Sequence, residues 1–335
     1  MAKAGEALRV GILGAARIAE PALVAPARAV DGLRVTTIAS RTLSVAEDYA
    51  QKHGIARAVG SYDAVIADPE IDAVYIPLPN NLHMQWTIAA LEAGKVVLCE
   101  KPLAMNAAEA QQICDAVERT GGVFVEAFHY RYHPFIHRIK ALLQGGAIGR
   151  VRRIEVRTQI PGAWIPARNI RHIPELGGGA AMDMGIYCVD TLRFLMEAVP
   201  DVVSAEAEIS HPDIDGTMVA DLRFANGVTA KIRASHIYPK PVVDSALIIE
   251  GDAGVLTAAK HFIPQAGASL VVENAQGRVQ EDVDRTPSYQ FQTEAFVGLA
   301  RRARPVETDA RSGLANMKII DAMYRAAGLR PRGLS

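Results

Sequence analysis

Hydrophobic and polar positions along the chain follow two rhythms. Leu8 to Leu13 is a short apolar run ending in Gly14; a helical stretch follows, then Leu33 to Ala39 forms a second strand-like run rich in β-branched residues. The alternation continues. SVAEDYAQKHG reads as a helix stopped by Gly54, DAVYIP as a buried strand, LHMQWTIAALEAG as a helix stopped by Gly94, and KVVLCE as a strand. A further helix around Ala107 to Arg119 ends at Gly121 and Gly122, and VFVEAF supplies one more strand. Repeated βα units of this length demand a parallel sheet covered on both faces and joined by right-handed crossovers.

After about residue 150 strands follow one another: VRRIEVRTQI, SAEAEIS, TMVADLRFA, GVTAKIRASH, SALIIEG and ASLVVEN. The Asn226-Gly227 pair between two alternating runs marks a hairpin. This predicts a mainly antiparallel sheet in a second, α+β domain. Two helical segments, near Tyr289 to Ala303 and Leu314 to Ala327, close the pattern. The expected division is 1–125 for an α/β doubly wound domain and 126–335 for the α+β domain, with the closing helices free to return to the first.

Composition narrows the function classes. A chain of 335 residues exceeds one ordinary core, and with 50% hydrophobic and 22% charged residues it has the balance of a globular protein. A net charge of −1 removes long-range attraction for nucleic acid or anionic lipid, so neither is an expected partner. The arginines at 301, 302 and 304 then read as a solvated helix end. No apolar run is long enough to cross a bilayer and the N-terminus carries no apolar leader, so a cytoplasmic location is expected. Cys99, Cys114 and Cys188 lack CxxC spacing and are expected as buried thiols. The nine histidines show no HxH or HExxH spacing, and no metal site is expected.

Gly11-Ile12-Leu13-Gly14-Ala15-Ala16, with Arg17 and Ile18 after it, sits where the first strand turns into the first helical stretch. Small residues there let backbone N–H groups approach a pyrophosphate, and a helix N-terminus favours the anion. In this position the GxxGxA spacing identifies a Rossmann domain binding a dinucleotide. The second strand ends in Ala39-Ser40-Arg41, without the acid that would grip a ribose 2′-hydroxyl; Asp31 precedes that strand and is read as a loop cap. A serine hydroxyl and a guanidinium suit a 2′-phosphate, which favours NADP; if Arg41 stacks on adenine instead, NAD serves. Glu100-Lys101-Pro102 follows a parallel strand, at the edge where ligands of doubly wound sheets bind.

Over nearly its whole length the chain resembles the Gfo/Idh/MocA oxidoreductases. The likeness is carried by GILGAARIA, ASR, PLPNNLHMQWTIAALEAGKVVLCEKPLAMN, EAFHYRYHP and ELGGGAAMDMGIYCVD. ASR and the last two stretches look most like the NADP-dependent dihydrodiol dehydrogenase and D-xylose dehydrogenase branch. The resemblance implies a catalytic Lys101 and an acid/base pair, Asp183 and Tyr187, on a helix of the second domain. Tyr187 replaces the commoner histidine, as in that branch, and spacing of i, i+4 puts both residues on one helix face. Pro79, Asn80, His83 and Glu100 match positions near the cofactor, Arg168 and Arg171 positions near the substrate. HYRYHP reads as a hinge and cleft wall, with Glu126 toward the nicotinamide side. A homodimer or homotetramer through the C-terminal sheet is also implied.

The chemistry fits these types. Oxidising a secondary alcohol requires a base at the hydroxyl while hydride leaves for the nicotinamide. An unperturbed tyrosine is too basic, and a neighbouring ammonium such as Lys101 would lower its pKa and stabilise the alkoxide. Asp183 would orient the substrate or tune the lysine. The expected substrate is a sugar, polyol or cyclic diol, with selectivity in the loop at 157–175. Two alternatives stand beside this: a sugar-modifying lyase or hydrolase with a transiently reduced, tightly held cofactor, and a non-catalytic NADP-binding regulator. The acid/base set speaks against the regulator, since a sensor has no use for one.

Overall fold

The computed structural model describes residues 6–302 and 305–334, so Arg304 lies outside the described residues. The chain forms two compact units. One comprises Met1–Ala104, Ala108–Tyr132 and Tyr289–Leu314; the other comprises Met105–Ala107, His133–Ser288 and Ala315–Ser335.

In the first unit β1 (Leu8–Leu13), β2 (Leu33–Ala39), β3 (Arg57–Val59), β4 (Ala73–Ile76), β5 (Val96–Cys99) and β6 (Phe124–Glu126) form a parallel sheet in the order β3-β2-β1-β4-β5-β6. Strands β4 and β5 are buried on both faces, as their unbroken apolar runs demand. The order reverses between β1 and β4, the switch point at which such sheets hold ligands. Helices α1 (Leu43–His53), α2 (Tyr62–Ile66), α3 (His83–Glu92) and α4 (Ala107–Thr120) fill the crossovers. Gly54 ends α1 in the left-handed region at φ 66°. Between β1 and β2 the helical stretch is not a regular α-helix: a π-helical turn, Glu20–Val24, leads to a 3-10 turn, Pro26–Arg28. Pro21 and Pro26 each lack the N–H that an α-helix would use.

The second unit begins with α5 (Pro134–Gln144) and β7 (Val151–Pro161), followed by α6 (Ile186–Met196). Then come β8 (Asp201–His211), β9 (Ile214–Arg223), β10 (Thr229–Tyr238), β11 (Asp244–Gly251), β12 (Gly254–Ala259), β13 (Ser269–Asn274) and β14 (Gly277–Glu281). The eight strands run β14-β13-β12-β11-β7-β10-β9-β8, antiparallel except for the pair β7 and β10. Asn226 and Gly227 turn β9 into β10, with Gly227 at φ 86° and the Asn226 side chain accepting from the Val228 N–H. One sheet face is apolar, with Ile154, Val156, Ile232, Leu247 and Ile249 buried. The other carries a charge ladder in which Arg153 bonds Glu250 and Arg157 bonds Asp244 across the strands, and Arg157 also bonds Glu155 on its own strand.

Helix α7 (Ser288–Ala300) belongs to the first unit, where Phe296, Leu299 and Ala300 join Val10, Ile38, Leu98 and Val125 in one core. Helix α8 (Ala310–Ala326) divides between the units. All three cysteines are buried thiols. Among the described residues no helix is long and apolar enough to cross a membrane, and no group of His, Cys, Asp or Glu is placed to hold a metal ion.

Candidate active site

In the first unit the candidate residues gather at the carboxyl ends of β1, β2, β4 and β5. Gly14 has φ 111°, and a Cβ there would stand 2.8 Å from Leu78 Cδ2, so the turn out of β1 requires glycine. Its N–H donates to the Ala39 carbonyl at 2.9 Å, tying the loop to β2. Ala15 and Ala16 follow, half-buried and small, then exposed Arg17 and half-buried Ile18. Gly11 has a different role: a Cβ would meet Val65 Cγ1 at 2.4 Å, so it admits α2 against β1. Ser40 and exposed Arg41 follow β2, and the Arg41 guanidinium lies near enough to the Tyr62 phenol to act on its charge. Burial pushes the Tyr62 phenol up and Arg41 pulls it part of the way back. A glycine turn, small residues and a cation at the end of β2 form a donor set that fits a phosphorylated dinucleotide.

Pro79 precedes a 3-10 turn at Asn80–Leu82, and both Pro79 and Asn80 are half-buried. His83 is another of the residues expected near the cofactor. It is fully buried, with Nδ1 2.8 Å from the Pro102 carbonyl and Nε2 2.8 Å from the Leu78 carbonyl. It clamps the loop after β4 to the loop carrying Lys101, and burial pushes its pKa down. Glu100, almost fully buried, accepts from the Tyr75 hydroxyl at 2.7 Å, which fixes the strand end from which half-buried Lys101 projects. The Lys101–Pro102 bond is cis. Glu126 is buried; a Cβ at Gly313 would lie 2.6 Å from its carboxylate.

In the second unit Asp183 lies in a π-helical turn, Ala181–Gly185, that runs into α6, and Tyr187 occupies the first turn of α6. The widened turn replaces the plain α-helix implied by i, i+4 spacing; such turns recur at functional sites. Arg171 Nε donates to Asp183 Oδ2 at 2.6 Å, and His236 Nε2 lies 3.0 Å from the same oxygen. The Asp183 side chain is 14% exposed and that of His236 only 2%. The Asp183 carboxylate, with Tyr187 contributing, raises the Arg171 pKa, so one guanidinium faces both members of the expected acid/base pair. Arg171, expected at the substrate, is thus committed to Asp183, while Arg168 is exposed in the loop.

The loop that carries Arg171 rests on the glycine run before Asp183. Gly179 N–H donates to the Arg171 carbonyl at 3.1 Å, and a Cβ on Gly178 would stand 2.6 Å from that oxygen. Asn169 Oδ1 accepts from the Arg171 backbone N–H. The Tyr187 ring, nearly buried, packs against Phe262 with centroids 4.9 Å apart, and Phe262 packs against His261 at 3.8 Å. His261 is fully buried, which pushes its pKa down to about 3. His236 and Phe262 carry no local sequence signal: one lies within β10 near its end, the other sits in a loop, and only strand pairing brings them to the helix. A desolvated carboxylate held by a cation and an imidazole, near a phenol on an aromatic wall, is a group set able to move a proton.

Residues 8–128 match the family model described as an oxidoreductase family with an NAD-binding Rossmann fold, and residues 136–257 match the Gfo/Idh/MocA C-terminal domain model. The chain is 34% identical to D-xylose 1-dehydrogenase (NADP(+)) 2 of Haloferax volcanii, covering 95% of this chain and 96% of that protein. It is 34% identical to trans-1,2-dihydrobenzene-1,2-diol dehydrogenase of Danio rerio, covering 81% and 79%. A 3-ketoreductase from Actinomadura kijaniata, solved in complex with NADP and TDP-benzene, is similar with a TM-score of 0.85 at 27% identity, covering 95% of this chain and 97% of that one.

Proposed function

Because the chain belongs to the Gfo/Idh/MocA family of oxidoreductases, we propose that it moves hydride between NADP and a secondary alcohol or ketone of a sugar, polyol or cyclic diol. The observation that carries this reading is the Asp183 carboxylate, held by Arg171 and His236 and followed four residues later by Tyr187. Tyr187 takes the hydroxyl proton in oxidation and returns it in reduction. Lys101 stabilises the alkoxide charge, and Asp183 orients the reacting hydroxyl. The nicotinamide, when bound, supplies or accepts the hydride. Ser40 and Arg41 would hold a 2′-phosphate, and the backbone N–H groups of Gly14 to Ile18 would serve the pyrophosphate. The D-xylose and dihydrobenzenediol dehydrogenases among its relatives support a compact polyhydroxy substrate. The same reading gives the charged, open face of the second sheet to another copy of the chain.

Tyr187→Phe tests the proposal. Turnover on a panel of aldoses, anhydro sugars and trans-diols should fall by at least about a hundredfold, the usual loss for a general acid/base. NADPH binding, followed by its fluorescence, should stay unchanged. Near-normal turnover in this variant overturns the assignment.

A further inference from the structure

Asp215, at the start of β9, has no exposed surface. Its carboxylate accepts from three donors: the Ala181 N–H at 2.7 Å, the Tyr324 hydroxyl at 2.8 Å and Arg332 at 2.7 Å. Ala181 opens the helical run that carries Asp183 and Tyr187, and its N–H is one of the donors that a helix start leaves without an internal partner. Gly179 makes the approach possible: at φ 125°, a Cβ there would stand 2.0 Å from Asp215 Oδ1.

A fully buried carboxylate is tolerated only when a cation answers it. Arg332, which follows α8, supplies that charge with its side chain 6% exposed. Several contacts hold it in place. The guanidinium lies over the Tyr324 ring, 4.7 Å from the centroid, and also bonds the Asp213 carbonyl, while the Arg332 carbonyl accepts from Asn106 Nδ2 at 2.9 Å.

We propose that Arg332 is a positioning residue for the acid/base pair, acting through Asp215 on the start of the helix that bears Asp183 and Tyr187. The inference rests on the roles given above to those two residues. Without the guanidinium, Asp215 is a buried charge that must take up a proton or draw in water, and either change withdraws the cap from Ala181. Displacing a reacting group by about 1 Å costs on the order of a hundredfold in rate.

The test compares Arg332→Met, Arg332→Lys, Arg332→Ala and Tyr187→Phe in the full chain with NADPH bound. Hydrogen exchange read by mass spectrometry should show the 179–188 peptide of Arg332→Met exchanging at least about tenfold faster, with first-unit peptides unchanged. On the best substrate of the panel, kcat of Arg332→Met should fall by about tenfold or more, while the NADPH dissociation constant stays within about twofold. Arg332→Lys should recover part of the rate, and guanidinium ion should rescue Arg332→Ala. Unchanged exchange at 179–188, an intact kcat, or a loss that neither lysine nor guanidinium reverses overturns the proposal. Should Arg332→Met fail to fold, Tyr324→Phe, which removes one donor from Asp215, should give the same local exchange change. Wild-type turnover in Tyr187→Phe refutes the acid/base reading itself, and the exchange result then judges the positioning role alone.

Discussion

His261 gives the second unit a calculable sensitivity to acid. Its pKa falls from 6.5 to about 3 through burial alone. A group whose folded value is depressed contributes fully above its unfolded value and loses that contribution as pH falls towards the folded one. Between about pH 7 and about pH 5 the unfolded histidine gains its proton and the folded one does not, so stability drops by about 2 kcal/mol at ~1.4 kcal/mol per pH unit. For a unit of this size that is a fall of about 4 to 8 °C in the unfolding midpoint. Calorimetry of the native chain and His261→Leu at both pH values isolates the effect. His83, His133 and His172 also have lowered pKa values, but they titrate in both proteins and cancel in the difference. The variant should lose about 2 kcal/mol less on acidification. Equal acid sensitivity in the two proteins would refute the reasoning. Because His261 backs Phe262, and Phe262 packs on Tyr187, the acid-weakened packing lies directly behind the proposed base.

Three further outcomes are expected. Removing the Arg41 charge by Arg41→Ala should weaken NADP about ten- to a hundredfold more than NAD, the range for one charge-assisted hydrogen bond; fluorescence titrations giving equal losses argue against the 2′-phosphate site. Gly179→Ala combines a left-handed backbone with overlap on immobile Asp215, so urea unfolding should show a loss of about 3 kcal/mol or more, and an unshifted midpoint contradicts the close approach. Sedimentation velocity at several concentrations should show self-association, and a monomer throughout removes the open sheet face as an interface.

The βα rhythm of the first unit is legible because buried parallel strands are continuous apolar runs and glycines stop their helices. The Asn226-Gly227 hairpin is legible for the same local reason. Elements that lack such signals escape. Strand β3 has three residues, none fully buried, and β14 is almost wholly exposed, so neither shows an apolar period. Helix α5 follows an aromatic and basic stretch that hides its amphipathic face. At the site, Lys101, Asp183 and Tyr187 are visible through motifs, whereas the residues around them are not. The Arg171 and Asp183 pair depends on a loop folding onto three glycines. Asp215 and Arg332 meet across more than a hundred residues, at a separation no local pattern encodes.

The core of the first unit holds side chains from both ends of the sequence: Leu8 and Val10 at one end, Phe296, Leu299 and Ala300 at the other. The second unit likewise draws on Met105–Ala107 and on Ala315–Ser335. Domains usually mature one after another as a chain is synthesised, the N-terminal one first. Here the six parallel strands leave the ribosome with part of their apolar cover still untranslated, and they must stay unaggregated while the whole eight-stranded sheet is made. The two units are interleaved in time as well as in sequence, and neither is complete until the last helices have been made.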